Sequence, residues 1–301
     1  SFPKKGDILI SAAGTIGRTV IYNGEDAYFQ DSNIVWIEND NTKITNEFLF
    51  HVLQIVKYNT EGGTIQRLYN NILKSTKFSS PTIFEQTKIA NFLSLINERI
   101  ATQKKTIEEL ESLMKGVSER LFSQKLRFKE FTDDWKEKYL GDISKITTGK
   151  LDANAMVKNG EYRFYTCAKE YYQIDKYAFD TEALLISGNG ANVGYIHYYK
   201  GKFNAYQRTY VLDKFEENIT YIKFFLDNFL QSRIYSEKKE GNTPYIVLST
   251  LSEMEIRIPS HEEQTKIANF LSAIDNKIET EKKILSLYEL QKKYLLINLF
   301  V

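Results

Sequence analysis

Apolar positions along this chain follow two regimes. Ile89, Leu93, Ile96, Ile100, Ile107, Leu110, Met114, Val117 and Leu121 recur at alternating intervals of four and three, interrupted by Gln103. That spacing is a heptad stripe. It predicts a helix from about Phe84 to Gln124, which would reach about 60 Å at the helical rise per residue. Ile267, Leu271, Ile274, Ile278, Leu285, Tyr288, Leu295 and Leu299 repeat the stripe to the end of the chain, with Glu281 in the register of Gln103 and Lys292 in that of Met114. Matching stripes of this length allow the two helices to pack on each other. Elsewhere the pattern is short and β-branched or aromatic, which predicts strands at Asp7 to Ile10, Thr19 to Tyr22, Asn33 to Ile37, Ala183 to Ile186, Tyr195 to Tyr199 and Tyr210 to Leu212. Helical spacing predicts shorter helices over Thr45 to Lys57 and Tyr221 to Gln231, and Lys125 to Asp134 reads as a polar connector.

Both regimes are also duplicated. Glu85 to Ser94 and Glu263 to Ser272 both read EQTKIANFLS, 178 residues apart, and Pro81 and Pro259 share that offset. A period this long is a repeated domain unit and not a solenoid. The strand-rich regions are related too, since Ile10 to Gly17 aligns with Ile186 to Gly194, one residue longer. Nothing ahead of Ser1 corresponds to Trp135 through Asp180. The first strand-rich unit is therefore expected to lack its opening part.

Composition narrows the chemistry. A chain of 301 residues accommodates about two domains. Forty basic and 39 acidic residues give a net charge of +1, which neither demands nor excludes nucleic acid. Cys167 is the single cysteine and no apolar run is long enough to span a bilayer, so a soluble, cytoplasmic protein without disulfides is expected. His51, His197 and His261 lie far apart and supply no metal-ligand spacing. Gly188, Gly190 and Gly194 miss the dinucleotide spacing and precede a predicted strand, while Gly149-Lys150 lacks the other glycine of a phosphate loop. The four prolines are nowhere adjacent, which excludes the Asn-Pro-Pro-aromatic motif of an amino-methylating enzyme. No catalytic residue is assigned.

The chain resembles the DNA-specificity subunit of type I restriction-modification systems. The resemblance is carried by the proline followed by EQTKIANFLS at both helix starts, by Leu140-Gly141-Asp142-Ile143 to Thr148-Gly149-Lys150-Leu151, by Gly160 to Thr166, and by Leu185-Ile186-Ser187-Gly188 with Gly194. It implies an α+β fold in which two mixed, strand-rich target-recognition domains are separated by two long antiparallel helices forming a coiled coil. The corresponding segments are 1–83, the C-terminal part of the first recognition domain; 84–126, the first long helix; 127–260, the second recognition domain; and 261–301, the second long helix. The resemblance also implies double-stranded DNA with a bipartite target as the ligand. Two modification (methyltransferase) subunits carrying S-adenosylmethionine would be partners, with the restriction subunits joined through them, and this chain itself would have no catalytic activity, cofactor or metal.

Base edges are read by Arg, Lys, Asn and Gln, and phosphates by those cations together with Ser, Thr and Tyr. In the complete unit such residues are densest at Lys150, Arg163, Tyr165, Lys169, Tyr171, Tyr172, Asn189, Asn192, Gln207, Arg208, Asn242 and Thr243. Their counterparts in the partial unit are Arg18, Gln30, Asn33, Gln66, Arg67 and Lys74. Ile89, Leu93, Ile96, Ile100, Ile107 and Leu110 are expected to pair with Ile267, Leu271, Ile274, Ile278, Leu285 and Leu295. Two alternatives use the same residues: a reader of one half-site that dimerises to restore two, and a coiled-coil interaction protein that binds no DNA.

Overall fold

A computed structural model of the chain describes residues 2–26, 33–56, 58, 67–237 and 245–300. Two compact units emerge, one of residues 1–108 with 279–301 and one of residues 109–278. Each is a strand-rich domain completed by parts of two long helices, so the fold is α+β.

In the first unit β1 (Ile8–Ser11), β2 (Thr19–Ile21) and β3 (Ile34–Ile37) form an antiparallel sheet in the order β2-β1-β3. The alternation along β1 buries Ile8 and Ile10 against Leu49 and Leu53 of α1 (Asn46–Leu53) and Ile72 of α2 (Asn70–Ser75). Thr45 caps α1 by accepting the Phe48 amide at 3.2 Å. This helix stops short of the Lys57 expected from periodicity. Past Leu53 the amides of Gln54 and Ile55 turn back to the carbonyls of His51 and Val52, a tightening that accompanies the β-branched Ile55-Val56 pair.

The long helices are α3 (Ile83–Phe122) and α7 (His261–Leu299). Within the first unit the early part of α3 lies against the late part of α7, which makes the pair antiparallel. Leu93, Ile96 and Ile107 are buried there, and Ile89, Ile100, Leu285 and Leu295 are half-buried. Phe300, beyond the end of α7, packs on Phe48 with ring centroids 5.1 Å apart. The polar position that both stripes share is paired: the Gln103 amide donates to the Glu281 carbonyl at 3.1 Å and to the Glu281 carboxylate.

The second unit carries a six-stranded sheet of β5 (Lys145–Thr148), β6 (Tyr162–Tyr165), β7 (Tyr172–Ile174), β8 (Phe179–Ser187), β9 (Ile196–Ala205) and β10 (Thr209–Asp213), in the order β5-β10-β8-β9-β6-β7. Every neighbouring pair is antiparallel except β6 with β9. Leu184 and Ile186 of β8 join one core with Leu226 and Leu230 of α5 (Ile219–Glu237) and with Phe122, Ile267 and Leu271. Ala183 and Leu185 join a second core with Tyr165, Phe203 and Val211. Burial on both faces explains why β8 reads as a continuous apolar run and not an alternating one. Ile278 is buried and Leu110 and Ile274 are half-buried in this unit. The helix expected to end at Gln231 continues to Glu237 because Ile234, four residues beyond Leu230, extends the buried face.

The proposed polar connector is fastened. Arg127 grips Glu263 through two 2.8 Å hydrogen bonds and the Trp135 indole donates to the same carboxylate at 3.2 Å. These contacts brace a small sheet of β4 (Lys136–Tyr139) and β11 (Glu255–Ile258) ahead of α7, with the short helices α4 (Leu140–Ile143) following β4 and α6 (Leu248–Ser252) preceding β11. The repeated decapeptide also supplies one buried anchor per unit. Gln86 accepts the Thr45 amide at 2.9 Å and donates to the carbonyls of Lys43 and Pro81. Gln264 accepts the Asn218 amide at 2.9 Å and donates to Glu217 and to the Pro259 carbonyl. Among the described residues no helix is long and apolar enough to cross a membrane.

Candidate nucleic-acid interface

At one end of the six-stranded sheet five chain segments are knit together. The Gly188 amide donates to the Arg208 carbonyl at 2.8 Å, and the Ile246 amide to the Gly188 carbonyl at 2.8 Å. Gln207 donates its amide to the Leu151 carbonyl, and its side chain donates to Asp152 at 2.8 Å. The Cys167 thiol donates to Asn189 at 3.2 Å, and the Asn192 side chain donates back to the Cys167 carbonyl at 3.0 Å. His197 meets the Ala168 carbonyl at 3.0 Å, and burial holds its imidazole below the ordinary range. Loops cross-linked this way present their outward side chains on a fixed frame.

Lys150, Lys169, Gln207, Arg208 and Tyr245 are exposed on these segments. Three cations, an amide and a phenol make a surface suited to phosphates and base edges. Asn189 and Asn192 are half-buried and occupied with the Cys167 loop.

A second cluster lies along β6. The Arg163 guanidinium stacks between Tyr171 at 4.3 Å and Tyr199 at 4.5 Å and donates to the Tyr165 hydroxyl at 3.3 Å, a bond that holds the cation above its ordinary range. Its free edge borders a hollow of about 420 Å³ with Glu161 and Lys202. Tyr171 and Tyr172 are exposed. Tyr165 is not: at 1 % exposure it is a core side chain, unable to touch a duplex, and burial raises its pKa. The sequence places it among polar neighbours, but Arg163 and Tyr165 share one face of β6 and only the longer, charged side chain reaches out.

The first unit has a smaller counterpart. The Ala12 amide donates to the Asn33 carbonyl at 2.7 Å and the Leu68 amide to the Ala12 carbonyl at 2.9 Å, bringing the Ser11 to Arg18 loop beside Asn33 and Arg67. Arg18, Asn33 and Arg67 are exposed. Lys74 is exposed in the last turn of α2. Gln30, Gln66, Asn242 and Thr243 lie outside the described residues. Periodicity and composition do not single out Asp152, Tyr199 or Tyr245; the only signal is for Tyr245, which directly follows Asn242-Thr243-Pro244 in the sequence. Among the described residues no group of three or more His, Cys, Asp or Glu is arranged to hold a metal ion.

Comparison with known proteins gives a concordant result. A protein of Haemophilus influenzae named as a type I restriction enzyme specificity subunit is 62 % identical over 94 residues, 31 % of this chain and 24 % of that one. The type I restriction enzyme EcoDI specificity subunit of Escherichia coli is 41 % identical over 150 residues, 50 % of this chain and 33 % of that subunit. The matches thus span a third or less of those relatives. The crystal structure of a type I restriction-modification S subunit from Mycoplasma genitalium shares the fold with a TM-score of 0.69, covering 99 % of this chain and 83 % of that one at 22 % identity. A family model described as the type I restriction modification DNA specificity domain matches residues 1–112 and 132–289, and the chain belongs to that family.

Proposed function

We propose that the chain reads a bipartite site on double-stranded DNA and holds the subunits that act on it. Residues 127–260 would read one half-site and residues 1–83 the other, with 84–126 and 261–301 as the spacer between readers. The observation that carries this reading is the cross-linked loop cluster, where Lys150, Lys169 and Arg208 stand exposed on segments tied by backbone hydrogen bonds. A paired coiled coil is a stiff spacer where a flexible linker is not.

Scaffolding has separate support. Leu287, Leu290, Tyr294 and Ile297 recur at helical spacing on the face of α7 opposite its pairing stripe and are 63 %, 63 %, 65 % and 56 % exposed. Apolar side chains so exposed in a row mark a docking face. By the family, its occupants are two modification subunits, which bring S-adenosylmethionine and join the restriction subunits; the chain contributes no catalysis of its own.

Titrating the full chain against duplexes in a salt series tests the first part. Affinity for a bipartite site should fall steeply and linearly in log salt. Binding that ignores salt would overturn the reading. Leu290→Lys with Tyr294→Lys tests the second part: recovery of the modification subunits should drop while duplex binding stays.

A further inference from the structure

The loops of the two units are built on one backbone pattern. The Ser11 amide bonds to the Arg18 carbonyl at 2.9 Å, and the Ser187 amide to the Tyr195 carbonyl at 2.9 Å. Gly17 returns to Ser11 at 2.9 Å, as Gly194 returns to Ser187 at 2.8 Å. Ala12 bonds to Asn33 where Gly188 bonds to Arg208, and Leu68 bonds to Ala12 where Ile246 bonds to Gly188. Isolated bridges pair Ala13 with Arg67 and Asn189 with Tyr245. The left-handed turns recur as well, at φ +70° for Gly14 and +79° for Gly190, and at +84° for Gly17 and +81° for Gly194.

This match defines four equivalent positions: Ala13 and Asn189, Arg18 and Tyr195, Asn33 and Arg208, Arg67 and Tyr245. Residues that make the pattern agree in kind between units. Side chains at the four positions differ in every case, and all but Ala13 and Asn189 are exposed. Copies that keep a backbone and change its outward groups differ in what those groups meet.

We infer that the three exposed pairs, Arg18 and Tyr195, Asn33 and Arg208, and Arg67 and Tyr245, set which bases each unit selects, an inference that rests on the chain being a DNA reader. The chemistry is specific at one of them. An arginine pairs its two donors with O6 and N7 of guanine, whereas an asparagine pairs donor and acceptor with adenine. Arg208 therefore selects guanine in its half-site, and Asn33 selects adenine at the matching place in the other.

The test is selection from a library of randomised duplex DNA by the full chain, followed by sequencing, with Arg208→Asn and Asn33→Arg as variants. Arg208→Asn should exchange guanine for adenine at one position of one half-site, weaken binding to the original site by about ten- to a hundredfold, and leave the other half-site untouched. Asn33→Arg should do the reverse in its own half-site, and it keeps the test open should Arg208→Asn fail to fold. If both variants bind all duplexes more weakly with base preference unchanged, these side chains meet phosphates and the inference falls alone. If the unmodified chain enriches no sequence, the DNA-reading function falls and the inference with it.

Discussion

Gln103 donates its side-chain amide to Glu281, the residue that occupies its own place in the second copy of the helix. Equivalent positions of a duplicated element thus touch each other across a largely apolar seam. Glu281 is 8 % exposed, so the amide meets a carboxylate that burial has largely removed from water.

Removing one partner should therefore hurt more than removing both. Gln103→Leu alone is expected to destabilise the chain by about 1 to 3 kcal/mol, the cost of removing one side of a buried hydrogen bond. Gln103→Leu with Glu281→Leu should recover that loss or exceed it, at the expense of a single register, since a polar pair in an apolar stripe admits few alternatives. Denaturant melts and size analysis of both variants check this.

Identical sequence does not mean identical context. Glu263 is 1 % exposed under Arg127 and Trp135, whereas Glu85, the same residue of the repeated decapeptide, is exposed. Glu263→Gln should cost about 3 kcal/mol and loosen the connector. Glu85→Gln should stay within about 0.5 kcal/mol. Equal losses would contradict the bracing assigned to Glu263.

His51 makes the first unit sensitive to acid. Its ring is 1 % exposed, and burial, followed by the Lys292 charge, lowers its pKa from 6.5 to about 4. The folded unit keeps the ring neutral while the unfolded chain protonates it, so unfolding takes up a proton below pH 6.5. Stability from this group is complete above about 6.5, declines as pH falls, and is lost by about pH 4, amounting to on the order of 3 kcal/mol. Hydrogen exchange of the α1 amides should show the decline, and His51→Phe should flatten it.

Arg163 depends on its shape as well as its charge. Arg163→Lys keeps the cation but gives up the flat stack between Tyr171 and Tyr199, and is expected to cost about 1 kcal/mol and free the Tyr171 loop. Faster exchange at Tyr171 and Tyr172, with the sheet amides unchanged, is the measurement.

The long helices were legible because each stripe spans ten heptad positions with few polar exceptions, Gln103 in one and Glu281 and Lys292 in the other. β6 and β7 were not, since Tyr162-Arg163-Phe164-Tyr165 and Tyr172-Gln173-Ile174 mix charge with aromatics on strands whose faces are covered unequally. β4 opens with three consecutive charges, β11 alternates charge with isoleucine, and the two form a sheet of their own, so neither shows an apolar run. The candidate interface was legible in outline, from the Gly-rich loop shared by both units. Its one-to-one correspondence was hidden by loop length: Asn33 and Arg208 are 175 residues apart and not 178, which defeats alignment at a fixed offset. The Gln207 link to Asp152 joins residues 55 positions apart and leaves no local trace.

The division of α3 and α7 between units has a consequence for synthesis. Phe122 emerges from the ribosome well before His261, and the intervening stretch takes on the order of ten seconds to translate. Throughout that interval Leu93, Ile96 and Ile107 have no α7 to cover them, and a second nascent chain on the same message offers an equally good, wrong partner. A chaperone that shields the newborn rod would raise the yield of monomer, and slowing translation after Phe122 would lower it.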